Sequence, residues 1–121
     1  MNTTTINTGH LQELFDEETR KIVEILKLAN PLKIIRFGSA ARGDVRWKSD
    51  LDLCVIIERP NDMPRFRMHQ ELDRILQEHG YRYDVPIEFR TYTPQEYKDL
   101  LTHHDFLVRD IAQGEVLYER N

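Results

Sequence analysis

The segment from Leu51 to Ile57 limits the folds open to this chain of 121 residues more than any other feature. After Asp52 it reads Leu-Cys-Val-Ile-Ile, with no polar residue to face solvent on either side. A strand of this kind is buried on both faces and belongs in the interior of a sheet. We therefore expect an α/β domain built around this strand.

The rest of the chain predicts further strands and helices around it. The elements expected from apolar periodicity, turn residues and capping signals are a helix over 11–29, strands over 34–37 and 51–57, a helix that opens at 62–64 and closes at 80, a strand over 85–92, a helix that starts at 93–96, a helix over 106–113, and a strand over 116–118. This order predicts one domain over residues 1–121, with a mixed sheet of about four strands and helices mainly on one face.

Composition excludes several classes of protein. Hydrophobic residues make up 40% of the chain and charged residues 31%, as in ordinary globular proteins, and no apolar run approaches the roughly 20 residues of a membrane span. Met1 to His10 lacks the basic start and apolar stretch of a signal peptide. Cys54 is the single cysteine, so an internal disulfide and a cysteine-clustered zinc site are excluded, and we expect a cytoplasmic protein.

The formal net charge of −4 argues against sequence-independent binding to long nucleic acids. The charge is uneven, because residues 33–48 carry five basic residues and one acid, which gives +4 there and leaves −8 for the rest. A small positive region on an acidic protein suits a small polyanion, with a solvated basic loop as the alternative. The five basic residues are Lys33, Arg36, Arg42, Arg46 and Lys48.

Asp50 and Asp52 lie two positions apart where the central strand begins. Side chains alternate between the faces of a strand, so both carboxylates point to the same side. Neighbouring like charges are unfavourable unless a cation neutralises them, and Mg²⁺ prefers carboxylate oxygens. The pair predicts a site for a hard cation, with two exposed aspartates at the end of a turn as the alternative.

Gly38 and Ser39 directly follow the preceding strand. Glycine lets the backbone approach a ligand closely, and exposed amides with a hydroxyl can cradle phosphate oxygens. Arg42 adds a guanidinium suited to phosphate. The segment is neither a P-loop nor a dinucleotide-binding Gly-x-Gly-x-x-Gly motif, and on its own it is equally an ordinary turn after a strand.

Taken together, the two segments resemble a known signature. Ten residues separate Ser39 from Asp50, and the runs Phe37-Gly-Ser-Ala-Ala-Arg-Gly43 and Ser49-Asp-Leu-Asp-Leu53 are similar to the signature of the polymerase-β-type nucleotidyltransferase superfamily. They resemble its minimal nucleotidyltransferase (MNT) family more closely. The segments 88–94 and 108–118 extend the resemblance over about residues 34–118.

The resemblance implies a nucleotidyltransferase fold with two Mg²⁺ ions and ATP as the nucleotide donor. The third metal carboxylate of the family lies on the third strand, six residues before a proline that starts a helix. Glu88 holds this position relative to Pro94, where aspartate is usual, and Asp84 is the alternative. The implied metal ligands and catalytic residues are Asp50, Asp52 and Glu88, and the implied nucleotide-binding residues are Gly38, Ser39 and Arg42.

The acceptor of the nucleotide is implied only by the same resemblance. Proteins similar to this chain often accompany a small helical HEPN-type ribonuclease toxin and act as its antitoxin by transferring AMP from ATP to a toxin tyrosine. Two alternatives stay open. One is a non-catalytic module that neutralises a partner by occlusion, and the other is a stand-alone transferase that acts on a small molecule as a homo-oligomer.

Overall fold

The computed structural model describes residues 8–121. The prediction that residues 1–10 do not form a signal peptide concerns a segment that lies mostly outside this range. The elements are α1 (Thr8–Leu26), a 3-10 turn (Lys27–Ala29), β1 (Lys33–Phe37), α2 (Gly38–Arg42), β2 (Leu51–Ile56), α3 (Arg65–Glu78), β3 (Ile87–Tyr92), α4 (Pro94–Thr102), α5 (Phe106–Ala112) and β4 (Glu115–Glu119). The predicted order of helices and strands is confirmed, and α2 includes residues 40–42, where the sequence allowed a helical turn. No helix within residues 8–121 is long and apolar enough to cross a membrane.

The four strands form one mixed sheet in the order β3-β2-β1-β4. β1 pairs antiparallel with β2 and β4, whereas β2 and β3 run parallel and are connected through α3. As expected, β2 is an interior strand, and Leu51 and Leu53 are fully buried. Its register places Asp52 between Phe37 of β1 and Glu88 of β3, so one row of the sheet carries two of the predicted site residues.

Helices cover both faces of the sheet. The long helices α1 and α3 pack on one face, around Ile22 and Leu72. The short helices α4 and α5 cover the other face, where Val108 and Ile111 pack with Cys54. The α/β class with a mixed four-stranded sheet is confirmed. The expectation that the helices lie mainly on one face holds only for the two long helices, α1 and α3. The second layer is needed because β2 is apolar on both faces.

Arg36 belongs to the interior, although its charge was counted in the positive region. It is 7% exposed, and its guanidinium donates hydrogen bonds to Asp16 (2.8 Å) and Thr19 (3.1 Å) of α1 and to Glu115 of β4 (2.9 Å). These bonds hold α1, β1 and β4 together. The positive surface near the site therefore comes from Arg42 of α2 and from Arg46 and Lys48 in the loop after it.

Candidate active site

The junction between β1 and α2 lies directly against the central strand. Gly38 has a φ of 73°, in the left-handed region that glycine adopts without strain. A Cβ on residue 38 would lie 2.2 Å from Oδ2 of Asp52, which is far inside van der Waals contact. The backbone conformation favours glycine here, a Cβ would displace the Asp52 carboxylate, and the structure brings the two predicted segments into contact.

Ser39 and Arg42 lie on the short helix that starts at this junction. Ser39 is its second residue and is partly buried, and Arg42 is its last residue and is exposed. Nε of Arg42 is 3.7 Å from Oδ2 of Asp44, and both side chains are about half exposed or more. Such an exposed ion pair is weak. The Arg42 guanidinium is therefore available to a phosphate group.

The predicted carboxylates gather at the start of β2 and on β3. Parallel pairing sets Asp52 beside Glu88 on one face, and Asp50 directly precedes the strand. Burial of Asp52, followed by the negative charges of Glu88 and Asp50, raises the pKa of the Asp52 carboxyl to about 6. Asp52 is therefore close enough to Glu88 and to Asp50 to be influenced by their charges.

The same three carboxylates are not preassembled around a single point. Within residues 8–121, no group of three or more histidine, cysteine or acidic side chains is placed to hold one metal ion. Glu88 instead forms an ion pair with Arg90, in which Nη2 and Oε1 are 3.0 Å apart. Alternation along the strand predicts that Arg90 shares a face with Glu88, but the ion pair between them was not predicted.

The loop between α2 and β2 forms the rim of this site. Its anchor is Val45, which is 1% exposed. Two hydrogen bonds close a turn: the Arg46 N–H donates to Oγ of Ser49 (2.8 Å), and the Ser49 N–H donates to the Arg46 carbonyl (3.0 Å). Trp47 and Lys48 are the central residues of the turn, and Trp47 is 69% exposed. The exposure of Trp47 was not predicted, because the exposure of a tryptophan cannot be inferred from its neighbours in sequence.

A cavity of about 350 Å³ lies beside α2, where α5 turns into β4. Asp110 and Glu115 contribute acidic side chains to its wall, and the predicted nucleotide-binding residues Gly38 and Arg42 also line it. The lining residues are Phe37, Gly38, Ala41, Arg42, Asp110, Gln113, Gly114 and Glu115.

Comparisons with known proteins found a matching family and several similar proteins. A family model described as "Nucleotidyltransferase domain" matches residues 18–114. A protein of Methanocaldococcus jannaschii, named as a candidate protein adenylyltransferase, is 32% identical over 75 residues, which are 62% of this chain and 72% of that protein.

Two solved structures are also similar. A candidate nucleotidyltransferase from Sulfolobus solfataricus superposes with a TM-score of 0.60 at 21% identity, covering 97% of this chain and 100% of that one, so the two share a fold. A structure described as a minimal nucleotidyltransferase has a TM-score of 0.48 at 18% identity and covers 96% of this chain and 99% of its own.

Proposed function

Because this chain belongs to the nucleotidyltransferase domain family and is a nucleotidyltransferase, we propose that it transfers AMP from ATP to a hydroxyl group of a partner protein. The observation that carries the proposal is the contact between Gly38 and Asp52, which leaves no space for a Cβ. It places a backbone suited to phosphate against a carboxylate suited to a metal ion. The name of the Methanocaldococcus jannaschii relative supports AMP as the transferred group and a protein as the acceptor.

In this proposal the β1–α2 junction holds the outer phosphates of ATP. The first N–H groups of a helix have no partner within it, so those at the start of α2 can donate to phosphate oxygens. Ser39 adds its hydroxyl, and the Arg42 guanidinium neutralises phosphate charge. Since Gly38 lies against Asp52, a triphosphate bound at this junction would have its α-phosphate near the carboxylates.

Asp50, Asp52 and Glu88 would hold divalent cations, with Mg²⁺ as the proposed ion. The charges of Glu88 and Asp50 act on Asp52, and carboxylates are the ligands that Mg²⁺ prefers. To join the other two, Glu88 would have to leave Arg90. Bound cations would neutralise the phosphates and acidify the acceptor hydroxyl. With a pKa of about 6, Asp52 is mainly ionised at neutral pH and available as a ligand.

The acceptor approaches from the β3 side. β3 is an edge strand, and the Glu88 and Arg90 side chains on it are nearly half exposed. Transfer forms a bond between the acceptor oxygen and the α-phosphorus, breaks the bond from that phosphorus to the bridging oxygen, and releases pyrophosphate and a proton. A tyrosine on a small helical HEPN-type partner is the proposed acceptor, which would make the chain an antitoxin in the cytoplasm.

The test is incubation with Mg²⁺, ATP labelled in the α-phosphate and the candidate helical partner. Label is expected on a partner tyrosine, and Asp50→Asn and Asp52→Asn are expected to abolish it. Asp62→Asn is the matched control, because Asp62 is exposed and follows the opposite end of β2. A wild-type level of transfer by the Asp52→Asn variant would contradict the proposal.

The ion pair between Glu88 and Arg90 favours a second candidate, a binding module without catalysis. In that case no label moves, yet the variant with both Asp50→Asn and Asp52→Asn still inhibits the partner. A third outcome is label on a small hydroxyl compound without any protein partner, which would indicate a stand-alone transferase. Sedimentation of the active species would then test whether it is a homo-oligomer.

A further inference from the structure

Trp47 is held in place and yet exposed. It is the only tryptophan of the chain, and 69% of its surface is open to solvent. The two hydrogen bonds between Arg46 and Ser49 fix the turn that carries it, and buried Val45 anchors the preceding backbone. A tryptophan offers a flat apolar face and a polar N–H, so one that is fixed and exposed is suited to binding a ligand.

The position of Trp47 relates it to the site. The turn leads into Asp50, and three residues span at most about 11 Å, so the two backbones lie within that distance. The other end of the loop is Arg42, the last residue of the helix whose first residue, Gly38, lies against Asp52. Trp47 therefore lies at the rim of the region assigned to the phosphates, within reach of a nucleoside attached to them.

The charges around Trp47 indicate the kind of ligand. Arg46 and Lys48 flank it, and both side chains are exposed. An aromatic face between cations is the arrangement that proteins use for nucleobases, where the base stacks and the cations offset phosphate charge. The chain as a whole is acidic, with a net charge of −4, so this local combination is not a general property of its surface.

We propose that the Trp47 indole is the stacking platform for the base of the nucleoside triphosphate whose phosphates bind at Gly38 and Ser39. This inference rests on the proposed function and adds the contact that holds the nucleoside. Every base has a π face, so stacking gives affinity without hydrogen-bond selection, and purines are favoured by their larger face. Loss of one stacked base corresponds to a decrease in affinity of about 5-fold to 150-fold.

The experiment compares ATP with inorganic tripolyphosphate, both with Mg²⁺, by calorimetry and by tryptophan fluorescence. All tryptophan emission comes from Trp47, so stacking is observed directly. ATP is expected to quench the emission at the concentrations where it binds, and tripolyphosphate to bind without comparable quenching. Trp47→Leu is expected to weaken ATP binding about 5-fold to 150-fold and to leave tripolyphosphate affinity within about twofold. Trp47→Phe should restore part of the ATP affinity.

Phe66→Leu is the matched control, because Phe66 is an aromatic residue that is 61% exposed near the opposite end of β2. The inference is overturned if ATP binds without changing the emission, or if Trp47→Leu weakens ATP and tripolyphosphate equally. It is also overturned if Trp47→Leu abolishes partner binding and leaves ATP affinity unchanged. If the proposed function is wrong, neither ATP nor tripolyphosphate binds the wild-type chain. The inference about Trp47 is then wrong as well.

Discussion

Gly38→Ala distinguishes the effect of a substitution on the geometry of the site from its effect on the stability of the fold. A residue with a Cβ at a φ of 73° is strained by about 1–2 kcal/mol. The new Cβ would also lie 2.2 Å from Oδ2 and 3.1 Å from Cγ of Asp52. The Asp52 side chain can rotate, whereas the backbone of β1 is fixed by pairing on both sides, so we expect the carboxylate to move.

The two effects have different magnitudes. The free energy of unfolding should fall by about 1–3 kcal/mol, because the backbone strain at residue 38 persists after the Asp52 side chain has moved away. Nucleotide transfer should fall by about 100-fold or more, because a displacement of about 1 Å in a catalytic group has that effect. Gly43→Ala is the matched control: its φ is 78°, and nothing lies within 4 Å of an added Cβ.

Urea denaturation measures the stability of both variants, and calorimetry with Mg²⁺ and ATP measures binding. Both variants should lose similar stability, and only Gly38→Ala should lose binding and transfer. Wild-type binding by Gly38→Ala would refute the contact with Asp52 as the centre of the site. Equal loss of binding in both variants would show that backbone strain, and not the contact, is responsible.

The other predictions concern charged residues. Burial, followed by the charge of Glu88, raises the pKa of the Asp52 carboxyl to about 6. The protonated carboxyl therefore stabilises the fold below about pH 4, and this stabilisation is lost as the pH rises through 6. Asp52→Asn should therefore raise the melting temperature near neutral pH and flatten its dependence between about pH 4 and 7 in calorimetry, and an unchanged profile would contradict the raised pKa. Arg36→Met removes the hydrogen bonds to Asp16 and Glu115, whose side chains are 37% and 50% exposed, so urea denaturation should show a loss of about 1–3 kcal/mol. Unchanged stability would contradict the role of Arg36 in the interior. Arg90→Met frees Glu88, and calorimetry should show Mn²⁺ binding several-fold tighter than in the wild type; equal affinity would mean that the ion pair does not compete with the metal.

The sequence predicted features that depend on neighbours along the chain. The uninterrupted apolar run of β2 identified an interior strand, and its burial is confirmed. The Thr93 capping box is also confirmed, because Glu96 N–H donates to the Thr93 hydroxyl (3.1 Å) and Thr93 N–H donates to Oε1 of Glu96 (2.9 Å). Such signals are local, because capping and alternation act over a few residues.

Features that depend on distant residues could not be predicted in this way. Arg36 is buried because Glu115, which is 79 positions away, lies beside it on β4. The contact of Gly38 with Asp52 follows from the register of β1 with β2, which no local pattern fixes. The pairing of Glu88 with Arg90 depends on side-chain rotamers, so the sequence predicted the three carboxylates but not their separation in the structure.

In the proposed function, Gly38 and the Asp50–Asp52 pair form one site for nucleotide transfer. An assay with Mg²⁺, the partner protein and ATP labelled separately in the α- and γ-phosphates, in which pyrophosphate is quantified, tests this proposal. We expect α-label alone to enter the partner, with one pyrophosphate released per AMP, and we expect Asp52→Asn to stop both. Transfer of γ-label, or α-label transfer that survives in the Asp52→Asn variant, would contradict it.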